Sequence, residues 1–216
     1  LLLFNILSVK NINDNTLRFP FDKYKNKNTT WSLEHIHAQN AESLNTTEKR
    51  KEWLAAHKEV LYNIEKSDDM LHDEEENEDY IKDIIDRIEK LEQQTSIEGT
   101  QFNELQQEVF KQLSNETEGD YLDSLANMAL LNVGNNAALN NSVFEVKRRK
   151  IIEMDKTGAY IPYCTRMVFL KYYTPTPSNL HSWGADDREA YIKAIEETLK
   201  PYLKTELNPE PENTKA

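Results

Sequence analysis

The chain has 216 residues, of which 38% are apolar, and this is enough for one domain of ordinary size with a buried core. Its single cysteine, Cys164, excludes an internal disulfide and a zinc site built from several cysteines, and it is typical of a reducing cytoplasm. The formal net charge of −12 counts against binding to nucleic acid, because neutralisation of phosphates supplies most non-specific affinity.

The charge is unevenly distributed along the chain. The acidic excess lies largely in residues 66–80, whereas residues 18–27 and 147–150 are basic. An acidic segment of this kind can mask a basic working face, so the net charge leaves binding to nucleic acid open.

The first segment, LLLFNILSV, is apolar but too short to span a bilayer, and it lacks the basic leader of a signal peptide. We therefore expect no membrane association, and we interpret residues 1–16 as the end of an element that belongs to a longer protein. Residues 17–24 and 28–37 carry the β-branched and aromatic residues of extended segments.

A helical pattern follows from about residue 45 to residue 115, with three apolar stripes at helical spacing. Asn45 followed by Glu48 predicts the start of the first helix through a capping box. The acidic run lies between the first two helices. We therefore predict that residues 41–120 form a helical acidic insertion without chemical residues of its own, in which His57 is structural.

The second half of the chain alternates short elements. The run NMALLNV, at residues 127–133, predicts a strand, and an asparagine-rich turn follows it. Ser142 with Glu145 predicts a helix that ends near Gly158. Residues 160–173 are ambiguous between helix and strand. A last helix is expected from Asp186 onward, and residues 201–216 form a tail expected to be partly disordered.

The residues with the most reactive side chains are clustered in the stretch Glu34-His35-Ile36-His37. From these residues alone the cluster is a catalytic centre, a metal site or an ordinary strand end. Hydrolysis of a phosphodiester needs a base that deprotonates water and a divalent cation that neutralises charge. A histidine suits the first task, and carboxylate and amide oxygens suit Mg²⁺. His37 also leaves a His-x-His metal pair open, although the further histidines and aspartates of such sites are missing.

Two runs together resemble a known family. The run WSLEHIHAQN, followed downstream by LANMALLNVGNNAALNNSVFEVKR, resembles the C-terminal HNH nuclease domain of GmrSD-type restriction enzymes. That family pairs an E/D-H-I-x-P-Q motif with G-N-L-T-L-L, a second asparagine and S-N-x-x-F-x-x-K. The matching residues are Glu34, His35, Ile36, Gln39, Asn127, Leu130, Leu131, Asn136, Asn141, Phe144 and Lys147. Ala38 replaces the usual proline and Ala126 the usual glycine. The resemblance covers residues 17–40 and 121–200.

The resemblance implies an α+β fold, predominantly helical, in which a ββα-metal (HNH) core is interrupted by the long helical insertion. His35 would be the general base, and Asn127, on the second strand, would complete the catalytic set by holding the loop around His35. Glu34 and Asn136 would bind Mg²⁺ or Mn²⁺. The residues expected at the substrate are His37, Asn141, Lys147 and Arg148.

The function implied is that of a metal-dependent HNH endonuclease domain that hydrolyses DNA, as the effector of a restriction system in the bacterial or archaeal cytoplasm. Its partners would be DNA and an upstream nucleotide-hydrolysing domain of the same or an associated polypeptide, with a homo-oligomer left open. The alternative is a non-catalytic interaction module that retains an HNH-like scaffold and binds its partner through the insertion. RNA as the substrate is also open.

Overall fold

The computed structural model describes residues 1–13, 16–25, 30–38, 44–65, 74–113, 121–134, 139, 142–176 and 179–203. This part of the chain is mostly helical with one two-stranded sheet, which is an α+β fold. The helices are α1 (Leu2–Asn11), α2 (Phe21–Lys25), α3 (Thr47–Glu65), α4 (Glu74–Glu92), α5 (Gly99–Leu113), α6 (Phe144–Lys156), α7 (Tyr163–Phe169) and α8 (Ala185–Leu199). The strands are β1 (Trp31–His35) and β2 (Met128–Asn132), and short 3-10 turns span Leu125–Asn127 and Lys200–Tyr202. None of the described helices is both long and apolar enough to cross a membrane.

The two strands pair antiparallel, although 92 residues lie between them in the sequence. Their register places His35 opposite Met128 and Glu34 opposite Ala129. The outer edge of β2 is covered by side chains of the following helices. The Tyr191 hydroxyl donates to the carbonyl of Met128 (3.1 Å), and the Thr165 hydroxyl donates to that of Leu130 (2.6 Å). These bonds satisfy strand carbonyls that a two-stranded sheet would otherwise leave unpaired.

The described apolar residues form two separate clusters. One joins helices α3, α4 and α5, and the other joins the hairpin to α1, α7 and α8. Helix α6 belongs to both, because Val143 and Val146 pack in the first cluster whereas Phe144 and Ile151 pack in the second. The predicted insertion and the predicted nuclease core therefore meet along one helix.

Helix α1 is part of the second cluster. Phe4 is buried there, and the Asn5 side chain accepts a hydrogen bond from the backbone N–H of Cys164 in the first turn of α7 (2.9 Å). Asn5 thus satisfies a free N–H in the first turn of α7, as an N-cap side chain would. The N-cap residue of α7 itself, Pro162, makes no side-chain bond.

Three local predictions need correction. Residues 17–24 are not extended throughout, because Phe21–Lys25 is helical and its Tyr24 ring stacks on Trp31 (centroids 4.3 Å apart). Helix α3 begins at Thr47, so its N-cap is Thr46, one residue later than the predicted Asn45, and the Thr46 hydroxyl accepts from the N–H of Lys49 (3.3 Å). Ser142 and Glu145 do not form a capping box. The N-cap of α6 is Val143, which makes no side-chain bond, and the Glu145 carboxylate instead accepts from Arg149 (2.9 Å).

The ambiguous stretch at residues 160–173 contains α7, so the helical alternative is correct. Helix α6 ends as predicted, with Gly158 at a φ of +84°, in the left-handed region that glycine adopts readily. Helix α8 has Gly184 as its N-cap, and the Asp187 carboxylate accepts from the Gly184 N–H (3.0 Å). Residues 204–216 of the expected tail lie outside the described residues.

His57, on α3, links the block of helices α3, α4 and α5 (the helical block) to α6. Its ring is fully buried and stacks on Trp53, and its Nδ1 donates to the carbonyl of Trp53 (2.7 Å). The other ring nitrogen, Nε2, accepts the backbone N–H of Val143 (3.3 Å). The bond caps α6 from another helix, and it needs a neutral ring because a protonated histidine has no acceptor. Burial lowers the pKa of His57 to about 3, so the ring is neutral in the folded protein.

We predict that His57→Leu lowers the free energy of unfolding by about 1–3 kcal/mol at pH 7, since the Val143 N–H loses its acceptor. We also predict that the variant flattens the acid sensitivity. A histidine of pKa about 6.5 in the unfolded chain takes up its proton before the folded one, so stability is lost as the pH falls from about 6.5 toward 3.

Urea denaturation of both proteins at pH 7 and pH 4 tests this prediction. Carboxylates common to the two proteins cancel in the comparison, and His57 is expected to account for up to about 3 kcal/mol of the wild-type loss. An equal loss in the variant would show that His57 does not titrate in this way.

Candidate active site

Glu34 and His35 are the last two residues of β1, so their side chains point to opposite faces of the hairpin. Glu34 is buried on the face that packs against α6. His35 lies on the other face with Leu33, which is exposed, and its side chain retains 31% of its accessibility. The hairpin therefore offers one carboxylate inside the protein and one imidazole that solvent can reach.

The buried partner of Glu34 is Lys147, on the second turn of α6. Its ammonium nitrogen lies 2.6 Å from Oε1 of Glu34 and donates to the carbonyl oxygen of His35, also at 2.6 Å. The lysine is 1% exposed. This differs from the expected contact with phosphate, because the side chain of Lys147 points toward the hairpin and not toward solvent.

Burial opposes both charges of this pair. It raises the pKa of the Glu34 carboxyl although the Lys147 ammonium acts in the opposite direction, and it lowers the pKa of Lys147 although Glu34 opposes that change. Desolvation is therefore the larger effect on both pKa values, and the attraction between the two charges offsets only part of it, as is common for buried ion pairs. What the pair provides is a fixed position for the end of β1.

Asn127 fixes the backbone that follows His35. It is fully buried, in the 3-10 turn directly before β2 and not on the strand itself. Its Oδ1 accepts from the N–H of His37 (2.8 Å), and its Nδ2 donates to the carbonyls of His37 (3.1 Å) and Leu122 (3.0 Å). The resemblance implies that Asn127 holds the loop around His35, and these bonds are made to the loop just after that residue.

Asp123 is a residue of this site that the sequence reasoning missed. Its Oδ1 lies 3.3 Å from Nε2 of His35. Asp123 lies four residues before Asn127, within residues 121–200 that the family resemblance covers. This position is the sequence signal that could have identified it. In the sequence alone, an aspartate in an acidic chain is more often a solvated surface residue.

Two other residues expected at the substrate, His37 and Arg148, are half-buried and make contacts within the protein. His37 is half-buried, and its backbone N–H and carbonyl are both bound by Asn127. Arg148 is half-buried, with Nη1 lying 3.4 Å from Oε2 of Glu145. Glu145 also accepts from Arg149, whose Nη1 reaches Glu59 of α3 (3.0 Å). Part of the basic run on α6 is therefore neutralised within the protein.

Asn136 and Asn141, expected as metal ligand and substrate residue, lie outside the described residues. Within the described ranges, no group of three His, Cys, Asp or Glu side chains is arranged to hold a metal. Mg²⁺ needs few protein ligands and prefers oxygen, so the Glu34 carboxylate is a donor of the right kind. Because its Oε1 already binds Lys147, a cation would have to use the second oxygen while the pair persists.

Comparison with known proteins gave no significant match to a protein-family model, a curated protein or a solved structure. What can be said of the site therefore rests on its residues and their geometry.

We predict that Asn127→Asp destabilises the protein by about 2–4 kcal/mol, although the two side chains have the same shape. An aspartate can still accept from His37, but it cannot donate to the carbonyls of His37 and Leu122, which would then face a buried charge. Asn132→Asp is the matched control, because the bond of the Asn132 amide within the described residues is one that it accepts, from the Gly134 N–H, and a carboxylate can do the same. Thermal denaturation checks both variants, and equal melting temperatures would contradict the prediction.

A second prediction concerns the buried pair. Lys147→Met leaves Glu34 without a counter-ion and is expected to cost about 3–5 kcal/mol. Combining it with Glu34→Leu removes both charges, so the double variant should be more stable than Lys147→Met alone. Urea denaturation of the two single variants and the double variant measures this coupling. If Lys147 instead faced solvent, Lys147→Met would change the stability by no more than about 0.5 kcal/mol.

Proposed function

We propose that this chain is a metal-dependent HNH endonuclease domain that hydrolyses phosphodiester bonds of DNA. The observation that supports it best is the position of Glu34 and His35. Both stand at the end of a strand in an antiparallel hairpin, and a helix that follows in sequence is joined to that end by Lys147. Two strands and a helix in this order are what the resemblance to GmrSD-type enzymes implies.

In the proposed reaction His35 takes a proton from the attacking water. Its ring is half-exposed, so a water molecule and a phosphate can reach it. Asn127 binds the backbone of His37, two residues after His35, and so helps to fix the chain at the point where the imidazole projects from the strand. Glu34 and Asn136 would hold Mg²⁺ or Mn²⁺, which, when bound, supplies positive charge for the scissile phosphate and the leaving oxygen. His37, Asn141 and Arg148 are the proposed contacts to the substrate.

A non-catalytic interaction module is the second candidate. The observation that favours it is the Glu34–Lys147 pair, because the carboxylate expected to bind a metal already has an internal cation as its partner. The hairpin and α6 would then be a scaffold that presents the block of α3, α4 and α5.

For the nuclease, the cellular setting we propose is restriction of foreign DNA in a bacterial or archaeal cytoplasm, together with an upstream nucleotide-hydrolysing domain.

The proposal predicts that the protein nicks or linearises supercoiled plasmid at low salt with Mg²⁺ or Mn²⁺, and that EDTA abolishes this activity. His35→Ala should reduce the rate by about 10²–10⁴, which is what a general base contributes. The measurement is the rate of plasmid conversion on an agarose gel, with a structured RNA as a parallel substrate.

His181→Ala is the control, since it removes a second histidine of similar exposure that has no part in the proposed reaction. The melting temperature of His35→Ala should equal that of the parent, because the contact of its ring with Asp123 is long and lies near the surface. Equal cleavage by His35→Ala and the parent would refute the assignment of the base. Cleavage of RNA alone would refute DNA as the substrate.

A further inference from the structure

The imidazole of His35 has a carboxylate partner that the resemblance does not supply. Nε2 of His35 lies 3.3 Å from Oδ1 of Asp123, which belongs to the turn at residues 121–124. The Asp123 side chain is 75% exposed, so the contact lies at the surface and adds little to stability. The contact can, however, influence the orientation of the His35 ring and which of its nitrogens carries the proton.

The two residues are brought together by one buried amide. Nδ2 of Asn127 donates both to the carbonyl of Leu122, the neighbour of Asp123, and to the carbonyl of His37, two residues after His35. Asn127 therefore holds the two chain segments that carry the carboxylate and the imidazole. These bonds hold in place the two backbone segments from which the imidazole and the carboxylate extend.

The turn that carries Asp123 is also held from its other side. The guanidinium of Arg188, on α8, lies 3.7 Å from the ring centroid of Tyr121, and its Nη1 donates to the carbonyl of Trp183 (3.1 Å). Trp183 in turn donates from Nε1 to the carbonyl of Ala126 (3.1 Å). The carboxylate is thus presented from a turn that is anchored at both ends.

A carboxylate can only accept a hydrogen bond, so the ring nitrogen that faces it must carry the proton. With the proton on Nε2, the neutral ring keeps a lone pair on Nδ1, and this nitrogen can accept a proton from water. We propose that Asp123 is a positioning residue that fixes the tautomer and the direction of the His35 ring. The inference rests on the proposed function, in which His35 is the base.

The first test reads the tautomer directly and needs no catalysis. The imidazole ¹⁵N shifts of His35, at a pH where the ring is neutral, report which nitrogen is protonated. We expect a larger share of the Nε2–H form in the parent than in Asp123→Ala. Identical spectra, or a proton on Nδ1 in the parent, would overturn the inference whether or not the protein cleaves DNA.

The second test is cleavage kinetics on the full chain with Mg²⁺. Asp123→Ala should lower kcat about 10- to 100-fold, part of the ~10²–10⁴ that a general base contributes, with KM changed no more than about twofold. Asp123→Asn should recover part of the loss, since its amide oxygen still accepts from Nε2. Asp155→Ala, which removes another exposed aspartate of a surface ion pair, is the control and should behave as the parent.

The outcomes separate the two proposals. If His35→Ala is inactive and Asp123→Ala is as fast as the parent, the inference on Asp123 is wrong and the proposed function stands. If His35→Ala cleaves as the parent does, the proposed function fails. A melting temperature of Asp123→Ala equal to that of the parent is expected, and it separates a change in ring orientation from unfolding.

Discussion

A single buried ammonium group joins α6 to the end of β1. Lys147 binds the carboxylate of Glu34 and the carbonyl of His35, so it holds both residues of the proposed centre at once. Helix α6 also shares the second apolar cluster with the hairpin, through Phe144 and Ile151, and the ion pair fixes the end of β1 against the helix. Because an unpaired charge in this place would be costly, neither residue can be changed alone without loss.

Helix α6 also carries the contact with the helical block. Val143 and Val146 pack among α3, α4 and α5, and the backbone of Val143 is capped by His57. The same helix, one residue further along from Val146, presents Lys147 to the hairpin. A displacement of the block would therefore move the helix that positions Glu34 and His35.

The two strands and most helices could be predicted from the sequence because local signals specify them, whereas the antiparallel pairing of the strands was implied only by the resemblance. Apolar stripes indicated α3, α4 and α5, and the short apolar run indicated β2. The bonds of Asn127 to the loop after His35 were expected from the resemblance. The direction of Lys147 could not be predicted, because a lysine in a basic run is usually solvated and its burial depends on a strand more than 100 residues away. The contact of Asp123 with His35 and the cap supplied by His57 are likewise long-range.

The proposed function requires that Glu34 belongs to a divalent cation site. Its most direct test is paramagnetic broadening of amide signals by Mn²⁺, in the parent and in Glu34→Gln, which keeps the shape and the acceptor for Lys147. The claim predicts selective broadening at residues 34–37 and 127–128 that is lost in the variant. Broadening confined to the acidic residues 66–80, or unchanged in Glu34→Gln, would contradict it.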